Sequence, residues 1–298
     1  MTDGTRFYIL HVVSAVCGDA GKASSCWLHR FTVCFDEIGG FIGYRVPREH
    51  PFTRAEHKPF RPDDYRKLDR ILRDPEHILS TINTRKPGVD AVSGATVKYV
   101  AQKAVRGALY TSKAVWNIAQ ASGPQQVQSW TLERVTEFDL RAWQAKGEAL
   151  KLWWFLDHAD KSPLPEKTRY DLGYTLLAHP LSDVQAAALR FLNRTKAPFR
   201  VDEAMGSRYA QLNDIVKPDF LAWWIQNKHA PKRVVDAVVN DLTQRVTRYS
   251  QVTAPALTYL AAAKALDDPG CRSVLRELAE KNPSTYVRKL AKKLLNVK

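Results

Sequence analysis

No stretch of about 20 apolar residues occurs in this chain of 298 residues. A helix that crosses the hydrocarbon core needs that length, so the sequence offers no transmembrane helix. No Walker A loop, G-x-G-x-x-G, H-E-x-x-H or G-x-S-x-G string is present. The familiar signatures of nucleotide binding, zinc proteolysis and α/β-hydrolase chemistry are therefore missing. Cysteine is scarce, with only Cys17, Cys26, Cys34 and Cys271. Cys17 and Cys26 flank an eight-residue loop, and His29 follows closely. A local disulfide, a pair of metal ligands and unpaired thiols all remain open. The metal reading is the weakest, because no second C-x-x-C or H-x-x-x-H pair completes a ligand set.

Long basic runs are also lacking, although the net charge is +14 and the pI about 9.6. Lys and Arg alternate with Asp and Glu. The densest basic cluster, Arg288-Lys289 with Lys292-Lys293, reads as the wet face of a helix. A solvated basic surface is expected before a nucleic-acid site, and an acidic redox protein or an anionic membrane face suits the charge as well. The apolar share of 45% and aromatic share of 10% are those of a chain able to bury a core. At this length, one large or two ordinary domains are expected.

The N-terminal run Phe7 to Cys17 makes a poor signal peptide, since one basic residue precedes it and His11 interrupts it. Its β-branched and aromatic residues suit a first strand. A leader and further sequence upstream stay open as an alternative. More strand-like runs lie at Leu28 to Phe35 and Gly40 to Val46. A helix starts near Pro62-Asp63-Asp64-Tyr65 with Leu68, Ile71 and Leu72 on one face, and a short one is predicted over Pro75 to Leu79. A longer helix is predicted from Val97 to Ala119, with Gly107 as a kink. Ala121-Ser122-Gly123-Pro124-Gln125-Gln126 reads as the linker.

Beyond it, helical periods dominate. Helices are predicted over Leu132 to Trp143, Glu148 to His158, Glu166 to Leu177, Asp183 to Asn193, Asp219 to Asn227, Lys232 to Val246, Ala254 to Leu266, Cys271 to Glu280 and Tyr286 to Leu295. Two segments echo each other, with Val184 on Val287, Ala188 on Ala291, Phe191 on Leu294 and Asn193 on Asn296. Small Ala lets helices approach, and Val and Leu fill the groove. The expected fold is therefore an α+β unit over 1–122 followed by an all-α unit over 130–298. The latter is either a HEAT-like repeat stack or an irregular bundle. In the pairs Trp153-Trp154 and Trp223-Trp224, core packing is the first expectation and a groove lining the second. Asp63-Asp64 and Asp267-Asp268 read as helix-capping and turn residues.

One string carries chemistry: Asp90-Ala91-Val92-Ser93-Gly94-Ala95-Thr96. It follows the turn Lys86-Pro87-Gly88 and precedes the predicted helix. Gly94 and Ala95 leave the backbone open to a bulky donor. Thr96 falls near a helix start, where free N–H groups and the positive dipole end favour a phosphate. Read without chemistry, Ser-Gly-Ala-Thr is a helix cap.

At these residues the chain resembles the FMN-binding domain family, whose members include flavinylated subunits of sodium-translocating NADH:quinone oxidoreductase and Rnf-type complexes. The strand-turn-strand pattern at Phe31 to Asp36 and Gly39 to Val46 adds to the likeness, which spans roughly Trp27 to Ala119. The resemblance implies covalent FMN on Thr96 through a phosphodiester. Asp90, Ser93, Gly94 and Ala95 complete the cofactor-binding motif. It implies a magnesium-dependent flavin transferase with FAD as donor and a redox partner protein. It also implies an electron-transfer role outside the cytosol or at a membrane, although no clear signal or anchor accompanies it. A cytoplasmic location remains the alternative. The rival function is a non-enzymatic, basic helical-repeat adaptor for nucleic acid or an acidic protein, in which the string is only a cap. Nucleic acid is the less expected of these partners.

Overall fold

The computed structural model describes residues 6–17, 26–54, 57–81, 99, 102–195, 204–227 and 231–296. The chain divides into two compact units, Met1–Arg134 and Val135–Lys298.

The first unit is built on an antiparallel sheet of β1 (Phe7–Cys17), β2 (Cys26–Asp36) and β3 (Phe41–Arg45), in that order. Its three strands fall where the sequence predicts them. The register sets Phe7 opposite Asp36 and, at the other end, the backbone of Cys17 opposite that of Cys26. The β2–β3 turn is held by Asp36, whose Oδ1 accepts from the N–H groups of Ile38 (2.9 Å) and Gly40 (2.7 Å). Gly39 there has φ +86°, a backbone state that glycine adopts without strain. Side chains alternate faces along a strand. Phe31, Val33 and Phe35 of β2 accordingly point into the core, joined by Tyr8, Leu10 and Val12 of β1. Phe7, Ile9 and Val13 of β1 stay exposed.

Helix α1 (Pro62–Leu72) starts as a proline-led helix should, with the Asp64 carboxylate accepting from the Arg61 N–H at 2.8 Å. It buries Leu68, Ile71 and Leu72, the face predicted from their spacing. The short helix predicted at Pro75 to Leu79 is instead a 3-10 turn over Ile78–Thr81. Phe52 is the hub of the core. Tyr44 and Tyr65 stack on its ring, and Phe31, Phe60 and His29 meet it edge-on.

Two expectations in this unit are corrected. The helix predicted from Val97 to Ala119 is interrupted. Gln102 and Lys103 are helical, but 104–108 leave the helix, and α2 begins only at Leu109 and ends at Asn117. Gly107, at φ +71°, makes the break, because a left-handed residue cannot continue a right-handed helix. The linker predicted at 121–126 is helical throughout. A π-turn over Ile118–Ser122 leads directly into α3 (Gly123–Arg134). The wider π-turn carries the chain through Pro124, which has no N–H to donate. Gly123 serves close approach, not looseness: a Cβ there would lie 2.5 Å from Phe35 Cζ. Helix α3 is fixed to the sheet by Gln128 Nε2 donating to Ile38 O (2.9 Å) and Thr131 Oγ1 donating to Glu37 O (2.5 Å). The boundary at Arg134/Val135 thus lies downstream of the expected 122.

The second unit is all helix in its described residues: α4 (Glu137–Lys146), α5 (Ala149–His158), α6 (Glu166–Leu176), α7 (Ser182–Arg194), α8 (Ala204–Gln211), α9 (Lys217–Gln226), α10 (Lys232–Thr243), α11 (Thr253–Ala262), α12 (Pro269–Lys281) and α13 (Thr285–Leu295). The single helix predicted over Leu132 to Trp143 is split. Thr136 caps α4, accepting from the Asp139 N–H while the Asp139 carboxylate accepts from the Thr136 N–H at 2.9 Å. Helix α8 was not foreseen. Neighbouring helices pack together, α4 on α5, α6 on α7, α10 on α11 and α12 on α13, and contacts also run in steps of two: α5 on α7, α7 on α9, α9 on α11, α11 on α13, α8 on α10 and α10 on α12. The echoed residues fill matching places, since Val184, Ala188 and Phe191 of α7 and Val287, Ala291 and Leu294 of α13 are all buried. Among the paired tryptophans, Trp154, Trp223 and Trp224 are core; Trp153 alone reaches the surface, at 37% exposed. Asp268 caps α12, accepting from the N–H groups of Gly270 and Cys271. Lys289, Lys292 and Lys293 are exposed, as expected of a wet helix face. No helix among the described residues is long and apolar enough to cross a membrane.

Candidate functional site

Asp90, Ser93, Gly94, Ala95 and Thr96 lie outside the described residues. The residues on either side of them are described, and they form a tied frame. On the upstream side, the carbonyls that end α1 and its following turn are taken by side chains from α2 and the π-turn. Gln120 Nε2 donates to Leu72 O, Trp116 Nε1 donates to Asp74 O (3.0 Å), and Lys113 Nζ donates to Leu79 O (2.6 Å). On the downstream side, Lys67 Nζ of α1 donates to Gln102 O (2.8 Å), and the Ser112 hydroxyl accepts from the Val105 N–H (3.3 Å). The chain that leaves at Thr81 and returns near Gln102 is thus held at both ends by one packed core.

Lys113 was missed in the sequence. It is 5% exposed, sits 5.0 Å over the Trp116 ring, and burial pushes its pKa down. A lysine followed by Ala114, Val115, Trp116, Ile118 and Ala119 was the available signal. Its ammonium spends itself on a backbone carbonyl and the indole face, which makes it a tie, not a reagent.

The frame gathers three basic side chains, Lys67, Arg70 and Lys103, with Asp64 and Asp74 beside them. Burial lowers the Lys67 pKa first, and the neighbouring charges of Arg70 and Lys103 lower it further, against the pull of Asp64. His77 is likewise lowered by burial, with Lys103 and Lys67 opposing Asp74. Lys103 lies 5.6 Å over the Tyr99 ring. No cluster of metal-ligating side chains occurs among the described residues.

A second polar cluster, in the helical unit, was not foreseen. Arg245 makes two hydrogen bonds to Asp214, both 2.7 Å, and reaches Asp241 (2.9 Å) and the Ser250 hydroxyl (2.9 Å). Lys217 donates to Asp241 (3.1 Å), as does the Tyr209 hydroxyl (3.1 Å). The Arg245 hydrogen bonds hold the Asp214 carboxyl below its usual range. Burial and then Asp241 push the Tyr209 phenol up. Every charge is matched by an opposite one. The cluster ties α8, α9 and α10 to the loop after α10; nothing in it is poised as acid, base or nucleophile. Of the cysteines, Cys34 and Cys271 are free, and burial raises the Cys271 thiol to about 11, away from reactivity.

Comparison with protein-family models, with curated proteins and with solved structures yields no match for this chain.

Proposed function

We propose that this protein carries FMN through a phosphodiester on Thr96 and acts in electron transfer, with its helical unit as a HEAT-type docking stack. The observation that carries the reading is the string from Asp90 to Thr96, in which Asp, Ser, Gly, Ala and Thr stand at the spacing the flavin transferase reads. The tied frame on both sides of it supports the reading. When bound, FMN supplies the redox chemistry.

The chain's own share is a hydroxyl and a setting for it. Thr96 would supply the hydroxyl that takes the FMN phosphoryl group from FAD within the transferase, its proton passing to a base of that enzyme and AMP departing as the leaving group. Gly94 and Ala95 keep the approach open, and Lys67 and Lys103 offer positive charge to the resulting phosphodiester. The docking role rests on helices that pack in steps of two, on the matched burial of Val184, Ala188 and Phe191 with Val287, Ala291 and Leu294, and on the exposed lysines of α13. An acidic redox partner is the occupant that such a surface favours.

The test is the intact mass of the full chain after coexpression with a flavin transferase. One covalent FMN is expected, lost in Thr96→Ala, partly kept in Thr96→Ser and reduced in Asp90→Ala. A Thr96→Ala protein that stays covalently yellow overturns the assignment. Failure of the parent chain to take up flavin leaves the helical-adaptor reading in its place.

A further inference from the structure

The first unit also carries a concavity whose lining includes none of Asp90, Ser93, Gly94, Ala95 and Thr96. It is an open groove of about 1020 Å³ between the end of β3, the loop that follows and the outer face of α1. That volume is at the upper end of what small-molecule sites enclose. Its floor is the ring pair Tyr44 and Tyr65. Both hydroxyls are already committed inward: Tyr44 donates to Tyr65 O (3.2 Å), and Tyr65 accepts from the Phe52 N–H (3.2 Å). Val46, Pro47 and Pro51 form an apolar wall.

The rim is four arginines, Arg45, Arg48, Arg66 and Arg70, and two acids, Asp63 and Asp69. Each acid is taken by an arginine at helical spacing on α1, Asp63 by Arg66 and Asp69 by Arg73 at 2.9 Å. Arg45, Arg48 and Arg70 therefore face the groove with no acidic partner among the described residues. Three guanidinium forks around one basin repel one another. Each presents paired N–H donors of the kind that match phosphate oxygens.

We propose that this groove binds a phosphate-bearing small anion, a di- or triphosphate group, through Arg45, Arg48 and Arg70. Three forks need more anionic oxygens than one carboxylate carries, and a di- or triphosphate supplies them in a compact shape. The rigid wall of Val46, Pro47 and Pro51 would lie against an apolar or ring portion attached to the phosphates. Single-stranded nucleic acid is less suited, because it needs charge that tracks along a backbone, and these three arginines ring one basin. An acidic peptide offers carboxylates spaced along a chain, not gathered in a basin.

The test is calorimetric titration of the full chain with sodium triphosphate at about 0.15 M salt, where nonspecific attraction is screened. Saturable one-to-one binding is expected. It should weaken about tenfold in each of Arg45→Gln, Arg48→Gln and Arg70→Gln, the loss of one charge-assisted contact. All three sites are exposed, so folding is not at risk, and unchanged thermal unfolding checks it. Arg276→Gln, an exposed arginine of the other unit, should leave affinity unchanged. So should Thr96→Ala, which keeps this outcome separate from the flavin assignment. ADP in place of triphosphate should bind at least as well if the wall is used. Absent saturation, or equal loss in Arg276→Gln, overturns the site. So does a polyglutamate peptide or oligonucleotide that depends on these arginines when triphosphate does not.

Discussion

Gly123→Ala is the sharpest probe of how the first unit closes. The glycine sits where the π-turn meets α3, against the underside of β2. An added Cβ would overlap the Ile118 carbonyl oxygen and lie 2.5 Å from Phe35 Cζ and 3.0 Å from Phe35 Cε2. Phe35 is fully buried, so its ring has nowhere to go, and the Ile118 oxygen cannot retreat without losing the hydrogen bond from the Gly123 N–H that defines the π-turn. Overpacking of this kind costs about 1–3 kcal/mol, and the backbone contact puts this case at the upper end. Alanine returns about 1 kcal/mol as the better helix former. The net expectation is a loss of about 2 kcal/mol, or roughly 7 °C in Tm for a unit of this size. Thermal and urea unfolding of a fragment covering 1–134 would measure it, with hydrogen exchange on the full chain as a cross-check. Phe35→Leu, which removes Cζ, should recover part of the loss in the double variant beyond simple addition. Equal or higher stability of Gly123→Ala would refute the close packing. It would also return residues 121–126 to the role of a linker.

Other consequences follow from the same geometry. A fragment ending at 134 should fold cooperatively and accept flavin from the transferase, whereas one ending at 122 loses α3, exposes the Phe35 face and should aggregate; equal solubility of both would undo this. His29 is 3% exposed with no hydrogen bond to Nε2, and burial lowers its pKa below 6.5. The unfolded chain then binds the proton first, so stability of the first unit is full above pH 6.5 and falls as pH drops below it. His29→Phe should flatten that slope in pH-dependent unfolding, and an unchanged slope would assign it to other groups. Arg245→Met should cost about 3 kcal/mol, since Asp241 stays buried with one cation fewer; urea unfolding showing no loss would mean the cluster is solvated in solution.

The strands were legible because their signal is local. Phe7 to Cys17 is rich in β-branched and aromatic residues, and Phe31, Val33 and Phe35 alternate with more polar neighbours, so pattern and fold coincide. The helices of the second unit were legible for the same reason, mostly to within a few residues at each end. The errors fall where one residue type has two uses. Gly123 and Pro124 spell a linker when read locally, yet glycine also admits a close neighbour, and only the position of Phe35 decides which use applies. Gly107 was read as a kink; its positive φ makes it a full stop. Thr136 sits inside a stretch that reads as continuous helix, and its capping role needs Asp139 to turn back toward it. The groove of Arg45, Arg48 and Arg70 was out of reach for a different reason. Those arginines are 25 residues apart at the extremes, and nothing in the sequence tells that Asp63 and Asp69 are occupied by Arg66 and Arg73.

The polar cluster of the helical unit and the groove of the first unit handle charge in different ways. In the helical unit the buried charges close on themselves: Asp214 and Asp241 are each held by both Arg245 and Lys217, and Tyr209 adds a neutral donor. Such a network ties helices together and leaves no charge over for chemistry. In the first unit, Arg45, Arg48 and Arg70 line the groove with no acidic partner among the described residues, while Lys67 has Asp64 as well as Arg70 and Lys103 for neighbours. Like charge gathered without a partner weakens a fold, and an anion drawn from solution relieves it. The proposed flavin attachment and the proposed groove are separable by a single variant: Thr96→Ala removes the attachment hydroxyl and leaves the three arginines in place.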